Sequence, residues 1–229
     1  MQTVTNTKLV ESRGTWGKRL AIVGFVMLFA AVFMPLKDEL LVFSWPVMII
    51  GFVISNIGMF SYNKYGRPPL PHDLLDKALK GVDSRYRLYN YTTAVPHVLL
   101  TPFGVMVIVL RRMGGDIACQ GEKWQAKTSF LSKLRIFTED QVGNPALDLR
   151  QDVNRLQTLL ETKLSSADGD KPVPLSGFVF FSHPDAKLTL DQPTVPVLSD
   201  RNVKDYLRRQ SGEKLSPARY DEIAAVLEG

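Results

Sequence analysis

The order of hydrophobic patterns along the chain predicts an α/β fold, a mixed sheet flanked by helices and preceded by an N-terminal two-helix transmembrane hairpin. Three observations carry that prediction. Two long charge-free apolar runs come first, "LAIVGFVMLFAAVFMPL" from Leu20 and "LVFSWPVMIIGFVISNIGMFSY" from Leu41. Strand-like runs then cluster between Tyr86 and Lys127, the most continuous being "HVLLT" and "GVMVIVLRR". A strongly amphipathic helix, "NPALDLRQDVNRLQTLLETKL", precedes one more apolar strand, "LSGFVFFSH".

The apolar runs set the domain plan. A bilayer core of about 30 Å is spanned by the second run, and the first meets the lower limit of about 17 residues. Only Lys37, Asp38 and Glu39 separate them, and Trp45, Tyr62 and Tyr65 lie near their ends as interfacial aromatics do. The plan is a basic N-terminus (1–19), a hairpin (20–65, spans about 20–36 and 41–62), a proline linker (66–72) and a domain (73–229). Two buried core helices, or a cleaved signal peptide followed by one span, are the competing readings. Lys8, Arg13, Lys18 and Arg19 precede the first run, and Lys64 and Arg67 follow the second. The positive-inside rule then predicts a cell-membrane protein with two spans and both termini cytoplasmic.

Charge follows the same division. Seven basic residues through position 69 (Lys8, Arg13, Lys18, Arg19, Lys37, Lys64, Arg67) face three acids (Glu11, Asp38, Glu39), so this segment holds +4 of the chain's net +5. The basicity is juxtamembrane, where it suits anionic headgroups of the lipid bilayer. With +1 left, the domain is nearly neutral, which disfavours a nucleic-acid partner without forbidding a local patch. Cys119 is the single cysteine, so no intrachain disulfide forms, and its apolar setting reads as packing.

Within the domain, "GRPPLPH" is a stiff linker, since proline stops helices and favours extended backbone. "DLLDKALKGV" has helical spacing with Asp73 as N-cap. "YRLYNYTT" alternates like a half-buried strand, and Pro102 and Gly104 turn "HVLLT" into "GVMVIVLRR". "GGDIACQGEKWQAK" reads as one further strand, and "SKLRIFTEDQVG" and "SSADGDKPVP" as loops. The helix after "SKLRIFTEDQVG" has Asn144 as cap, Pro145 in its first turn, and Leu149, Val153, Leu156, Leu159 and Leu160 on its apolar face. "KLTL" and "VPVLS" are weaker strands. Two terminal helices follow, capped by Asp200 and Ser216. A helix, a strand meander, a crossover helix and a last strand match the restriction-endonuclease-like arrangement.

The central residues carry a resemblance. "VPHVLLTPFGVMVIVLRRMGGDI", the later Trp124, the "NPALDLRQDVNRLQTLL" helix and "GFVFFS" together resemble the nuclease-related domain (NERD) family, over about Asp73 to Leu207. In that family an Asp-His pair opens one strand and Glu-x-Lys closes the next. The resemblance implies a metal-dependent phosphodiesterase centre of the PD-(D/E)xK type, in which carboxylates hold a divalent ion that activates water. Here His97 keeps the histidine, but Pro96 stands in the aspartate position, Val109 in the glutamate position and Arg111 in the lysine position. Asp148 lies about where the family often has glutamine. Valine holds no metal, and arginine stays protonated and cannot act as a base.

The nearby acids available to take over are Asp73, Asp76, Asp116 and Glu122. Glu122 and Lys123 are adjacent, so in a strand they would face opposite ways. Other constellations are weaker. His72, His97 and His183 lack zinc-ligand spacing. Ser182, His183 and Asp185 lack a nucleophile elbow, and "MGGD" is no phosphate loop. Arg111 and Arg112, with His97, remain candidates for binding a phosphate or an acidic partner. The resulting expectation is a catalytically inactive NERD-like pseudoenzyme, holding no cofactor and serving as an interaction, anchoring or regulatory module on a protein partner or membrane complex. Two alternatives stay open: an active nuclease using Mg2+ through relocated ligands, and an accessory subunit docked through its hairpin. For the latter, Gly51, Ser55 and Gly58 put small residues near one face of the second span.

Overall fold

The computed structural model describes residues 1–127, 143–164 and 172–229. The predicted loops at 132–143 and 165–174 fall largely outside the described residues. Two compact units are present, one formed by Thr7–Pro71 and the other by Met1–Asn6 with the described residues from His72 onward.

The first unit is a helical hairpin. Helix α1 spans Thr7–Phe33 and α2 spans Leu41–Tyr65, joined by short 3₁₀ turns at Met34–Leu36 and Asp38–Leu40. Both helices are long and apolar enough to cross a membrane. Helix α1 begins well before Leu20, so the basic residues Lys8, Arg13, Lys18 and Arg19 ride on the same helix as the apolar run. The buried positions follow a seven-residue rhythm: Val10, Gly17, Gly24 and Ala31 with Gly14 and Ala21 on α1, and Ser44, Gly51, Gly58 and Tyr65 with Ser55 on α2. That period is the one that keeps a seam facing a neighbouring helix. A Cβ on Gly24 would collide with the backbone of Ser55, and one on Gly58 with the backbone of Ala21. Only glycine lets the two backbones approach this closely. The small residues Gly51, Ser55 and Gly58, expected to offer a face to a partner, therefore pack against α1. Large apolar side chains point outward instead, with Val42 76 %, Phe60 71 % and Phe29 68 % exposed.

The second unit is the α/β domain. Strands β1 (Gln2–Thr5), β2 (Arg87–Asn90), β3 (His97–Thr101), β4 (Gly104–Arg111), β7 (Leu175–Phe181) and β9 (Val197–Ser199) form a six-stranded mixed sheet in the order β1-β2-β3-β4-β7-β9. The β2-β3-β4 meander is antiparallel, and β1, β7 and β9 join in parallel. The β3–β4 turn is tightened by Thr101, whose hydroxyl donates to the Gly104 carbonyl at 2.9 Å and accepts from the Phe103 amide at 3.1 Å. Gly104 has φ +145°, and any Cβ there would strike the Pro174 carbonyl.

Alternation divides the core between the two faces of this sheet. On one face, Val98, Leu100, Val105, Val107, Val109, Val179 and Phe181 pack on α4 (Pro145–Lys163) and α6 (Pro217–Glu228). On the other, Leu88, Leu99, Met106, Ile108, Phe178 and Phe180 pack on α3 (Pro71–Leu79) and α5 (Val203–Arg208). The second half of β7, Phe178–Phe181, is buried on both faces, as its unbroken apolar run requires.

Several expectations are corrected. The single strand expected in "GGDIACQGEKWQAK" is two, β5 (Gly115–Gln120) and β6 (Lys123–Lys127), folded back at Gly121. With β8 (Ala186–Asp191) they make a separate three-stranded sheet, β6-β5-β8. Helix α3 starts at Pro71, so Asp73 lies in its first turn rather than at its cap. Asn202, not Asp200, occupies the cap position of α5, and its side chain makes no capping bond there. Asn144 and Ser216 do cap α4 and α6, accepting from Leu147 N at 3.1 Å and Arg219 N at 3.2 Å. The N-terminal segment is not a mere basic lead-in, because its first residues are an edge strand of the domain.

Candidate functional site

The positions where the resemblance places a nuclease centre fall on both faces of the sheet. On the α4 face, Val109 is buried among the valines of the core, 5 % exposed. Two residues on, Arg111 points the same way and forms a close ion pair with Asp148 in the first turn of α4. Arg111 is largely buried while Asp148 is half exposed, so the pair seals the edge of the core at the position where the resemblance expects a lysine. Beside it Arg150 reaches Glu122 at 2.6 Å, and the Asn144 amide donates to the Glu122 carbonyl at 3.4 Å, tying the β5–β6 turn to the start of α4. Arg112 lies just past β4 and is half-buried.

On the α3 face, His97 Nδ1 lies 2.8 Å from Asn90 Oδ1, and both side chains are buried. The Asn90 amide nitrogen donates to Thr5 Oγ1 at 3.1 Å. That direction leaves Oδ1 as the acceptor and puts the proton of the pair on His97 Nδ1. Tyr91, at φ +59°, places its ring edge-on between His97 at 5.0 Å and His72 at 6.2 Å. Its amide donates to the Pro96 carbonyl at 2.8 Å, so Pro96 contributes backbone only. Nearby, Thr3 Oγ1 donates to Asp76 at 2.8 Å, and His72 Nε2 is 3.5 Å from Asp73. Burial pushes the Asp76 carboxyl above its ordinary value, against the opposing pull of the Thr3 hydrogen bond and of His72.

His97 and Arg111, grouped as one binding candidate from the sequence, therefore lie on opposite faces of the sheet. The four acids are also dispersed. Asp73 and Asp76 sit together on α3, Asp116 is exposed on β5, and Glu122 is held by Arg150. Among the described residues no three His, Cys, Asp or Glu side chains are arranged to hold a metal ion. Ser182 Oγ donates to the Arg111 carbonyl at 3.4 Å, whereas His183 Nδ1 accepts from the Asp185 amide at 3.1 Å, so the two side chains make no nucleophile–base pair. Cys119 is buried, and desolvation raises its thiol above the ordinary value, the reverse of the lowered thiol that a nucleophilic role needs.

The sequence reading missed Thr3, Thr5 and Asn90. The signal was present in "QTVT", a β-branched, alternating segment, but four residues beside a long helix carry little weight alone. The chain matches no protein-family model, no curated protein and no solved structure.

Proposed function

We propose that this chain is a membrane-anchored, non-hydrolytic interaction or regulatory module, its hairpin in the bilayer and its α/β domain at the cytoplasmic face. The observation that carries the anchoring is the division of labour on the hairpin. Its glycines Gly14, Gly17, Gly24, Gly51 and Gly58 are spent between α1 and α2, and its large apolar side chains face outward. An apolar surface of that extent is stable against lipid and not against water.

The degenerate NERD-like, restriction-endonuclease-like reading of the domain draws support from the order α3, β2-β3-β4 meander, crossover α4 and parallel β7. It draws further support from what fills the would-be catalytic positions: a valine in the core, an arginine already paired with Asp148, and a proline contributing only its carbonyl. The two-span plan is favoured over a cleaved signal peptide by β1. Its residues lie before the first apolar run and yet pair with β2, so cleavage after that run would remove a strand of the domain.

Alkaline carbonate extraction of membranes, paired with a nuclease assay on the purified chain, tests both halves. The expectation is retention in the pellet and no cleavage of DNA or RNA with magnesium or manganese. Release into the supernatant would overturn the anchor. Cleavage lost in Asp116→Ala or Glu122→Ala would overturn the inactive centre.

A further inference from the structure

A groove of about 390 Å³ opens at the end of the domain marked by the Gln2–Arg87 pair. The chain leaves the domain at Asn6, beyond the Thr5–Asn90 end of the same strands, about 10 Å away at roughly 3.3 Å per residue. Three cations line the groove, Arg85, Arg87 and Lys214, against one carboxylate, Asp221. Leu215, Pro217 and the Tyr220 ring supply apolar wall, and Ser84 supplies a hydroxyl.

These groups are held in place by contacts that leave charge available. The Leu215 amide donates to the Pro102 carbonyl at 2.8 Å, fixing the segment that carries Lys214 against the β3–β4 turn. Tyr220 Oη donates to the Arg85 carbonyl at 2.7 Å, and the Arg87 guanidinium lies 5.4 Å over the Tyr220 ring. Arg85 is committed to Asp83 at 2.7 Å, whereas the contact of Arg87 with Glu228 is long, 3.9 Å. Among the described residues no carboxylate pairs with Lys214, which is exposed.

We infer that this groove binds a phosphorylated, hydroxyl-bearing small molecule such as a sugar phosphate or a mononucleotide. Lys214 and Arg87 take the phosphate, a doubly charged acceptor that rewards convergent cationic donors. Asp221 and Ser84 meet hydroxyls, and Tyr220, Leu215 and Pro217 cover the carbon skeleton. The volume suits a ligand of that size, within the roughly 300–1,000 Å³ of small-molecule sites. The domain's near-neutral charge argues against a polyanion.

The test is calorimetric titration of the full chain, in phosphatidylcholine nanodiscs, with AMP, ribose 5-phosphate and adenosine. The proposal expects saturable binding of at least one phosphate ester and none of adenosine. Lys214→Glu and the milder Lys214→Gln should weaken it, the former at least about tenfold, equivalent to about 1.4 kcal/mol. Lys123→Glu, on β6, should leave it unchanged. No saturable binding of either ester, equal binding of adenosine, or equal loss in Lys214→Glu and Lys123→Glu would overturn it. Repeating the titration in phosphatidylglycerol nanodiscs separates the two phosphate sources. Displacement of AMP there, abolished in Lys214→Glu, would assign the groove to lipid and overturn the soluble ligand.

Discussion

Arg111, the last residue of β4, pairs with Asp148 in the first turn of α4, on the face of the sheet where Val109 is buried. Arginine here closes the core edge instead of serving an open site. One partner is largely shielded and the other half exposed, which places the pair between the surface and buried extremes. Arg111→Ala should cost about 1–2 kcal/mol in chemical denaturation of the detergent-solubilised chain. Combined with Asp148→Leu it should cost less than the two single changes summed, because the second removes a carboxylate the first has orphaned. Strict additivity would deny the coupling.

Asn90 and His97 form a buried hydrogen-bonded pair on the opposite face. Asn90 is fully buried and bonded on both sides, to Thr5 and to His97. His97→Ala leaves a buried acceptor unmet and should destabilise by about 1–3 kcal/mol. Thr5→Ala should show a smaller loss in the same denaturation series, since that bond is partly buried. An unchanged midpoint for His97→Ala would free the histidine from a structural role.

Asp76 should make the domain's stability fall with rising pH. Its carboxyl is raised above the ordinary 3.8, chiefly by burial. The folded chain then holds that proton more tightly than the unfolded chain, so ionisation costs stability. The cost is absent below 3.8 and complete above the raised value. Asp76→Asn keeps an acceptor for Thr3 and removes the charge. It should unfold at a higher temperature than the parent at pH 7, with the difference closing as the pH approaches 3.8. A less stable Asn variant at pH 7 would mean that the pull of His72 outweighs desolvation.

The hairpin seam should tolerate no side chain at its closest approaches. Gly24→Leu and Gly58→Leu each drive a Cβ into the backbone of the opposite helix. Either should separate α1 from α2, seen as loss of an engineered disulfide between the two helices. Gly212→Leu meets open space and should leave the cross-link intact.

Much of this architecture is legible in the sequence. Charge-free length marked the hairpin, continuous apolar runs marked β3 and β4, and Asn144-Pro145 marked the start of α4. What escaped depended on partners distant in sequence. Strand β1 is four residues long and is defined by its pairing with Arg87–Asn90, which no local pattern near Thr3 can announce. The seam of α1 was equally hidden, since Gly14, Gly17 and Gly24 matter only because Tyr65, Tyr62 and Ser55 lie opposite. At the candidate site, residue identities were readable, but their sorting onto two faces needed the register of β3 on β4. His97 and Arg111 look adjacent as a motif and are separated by the thickness of the sheet.

The most direct test of the central claim is cysteine accessibility in intact cells. In a Cys119→Ser background, single cysteines replace Asp38 in the loop between the helices, Thr3 in β1 and Glu228 at the end of α6. A membrane-impermeant maleimide should label Asp38→Cys in intact cells and the other two only after lysis. Labelling of Thr3→Cys on the opposite side from Glu228→Cys, or recovery of the chain in the soluble fraction, would contradict a two-span anchor with β1 and the domain on one side.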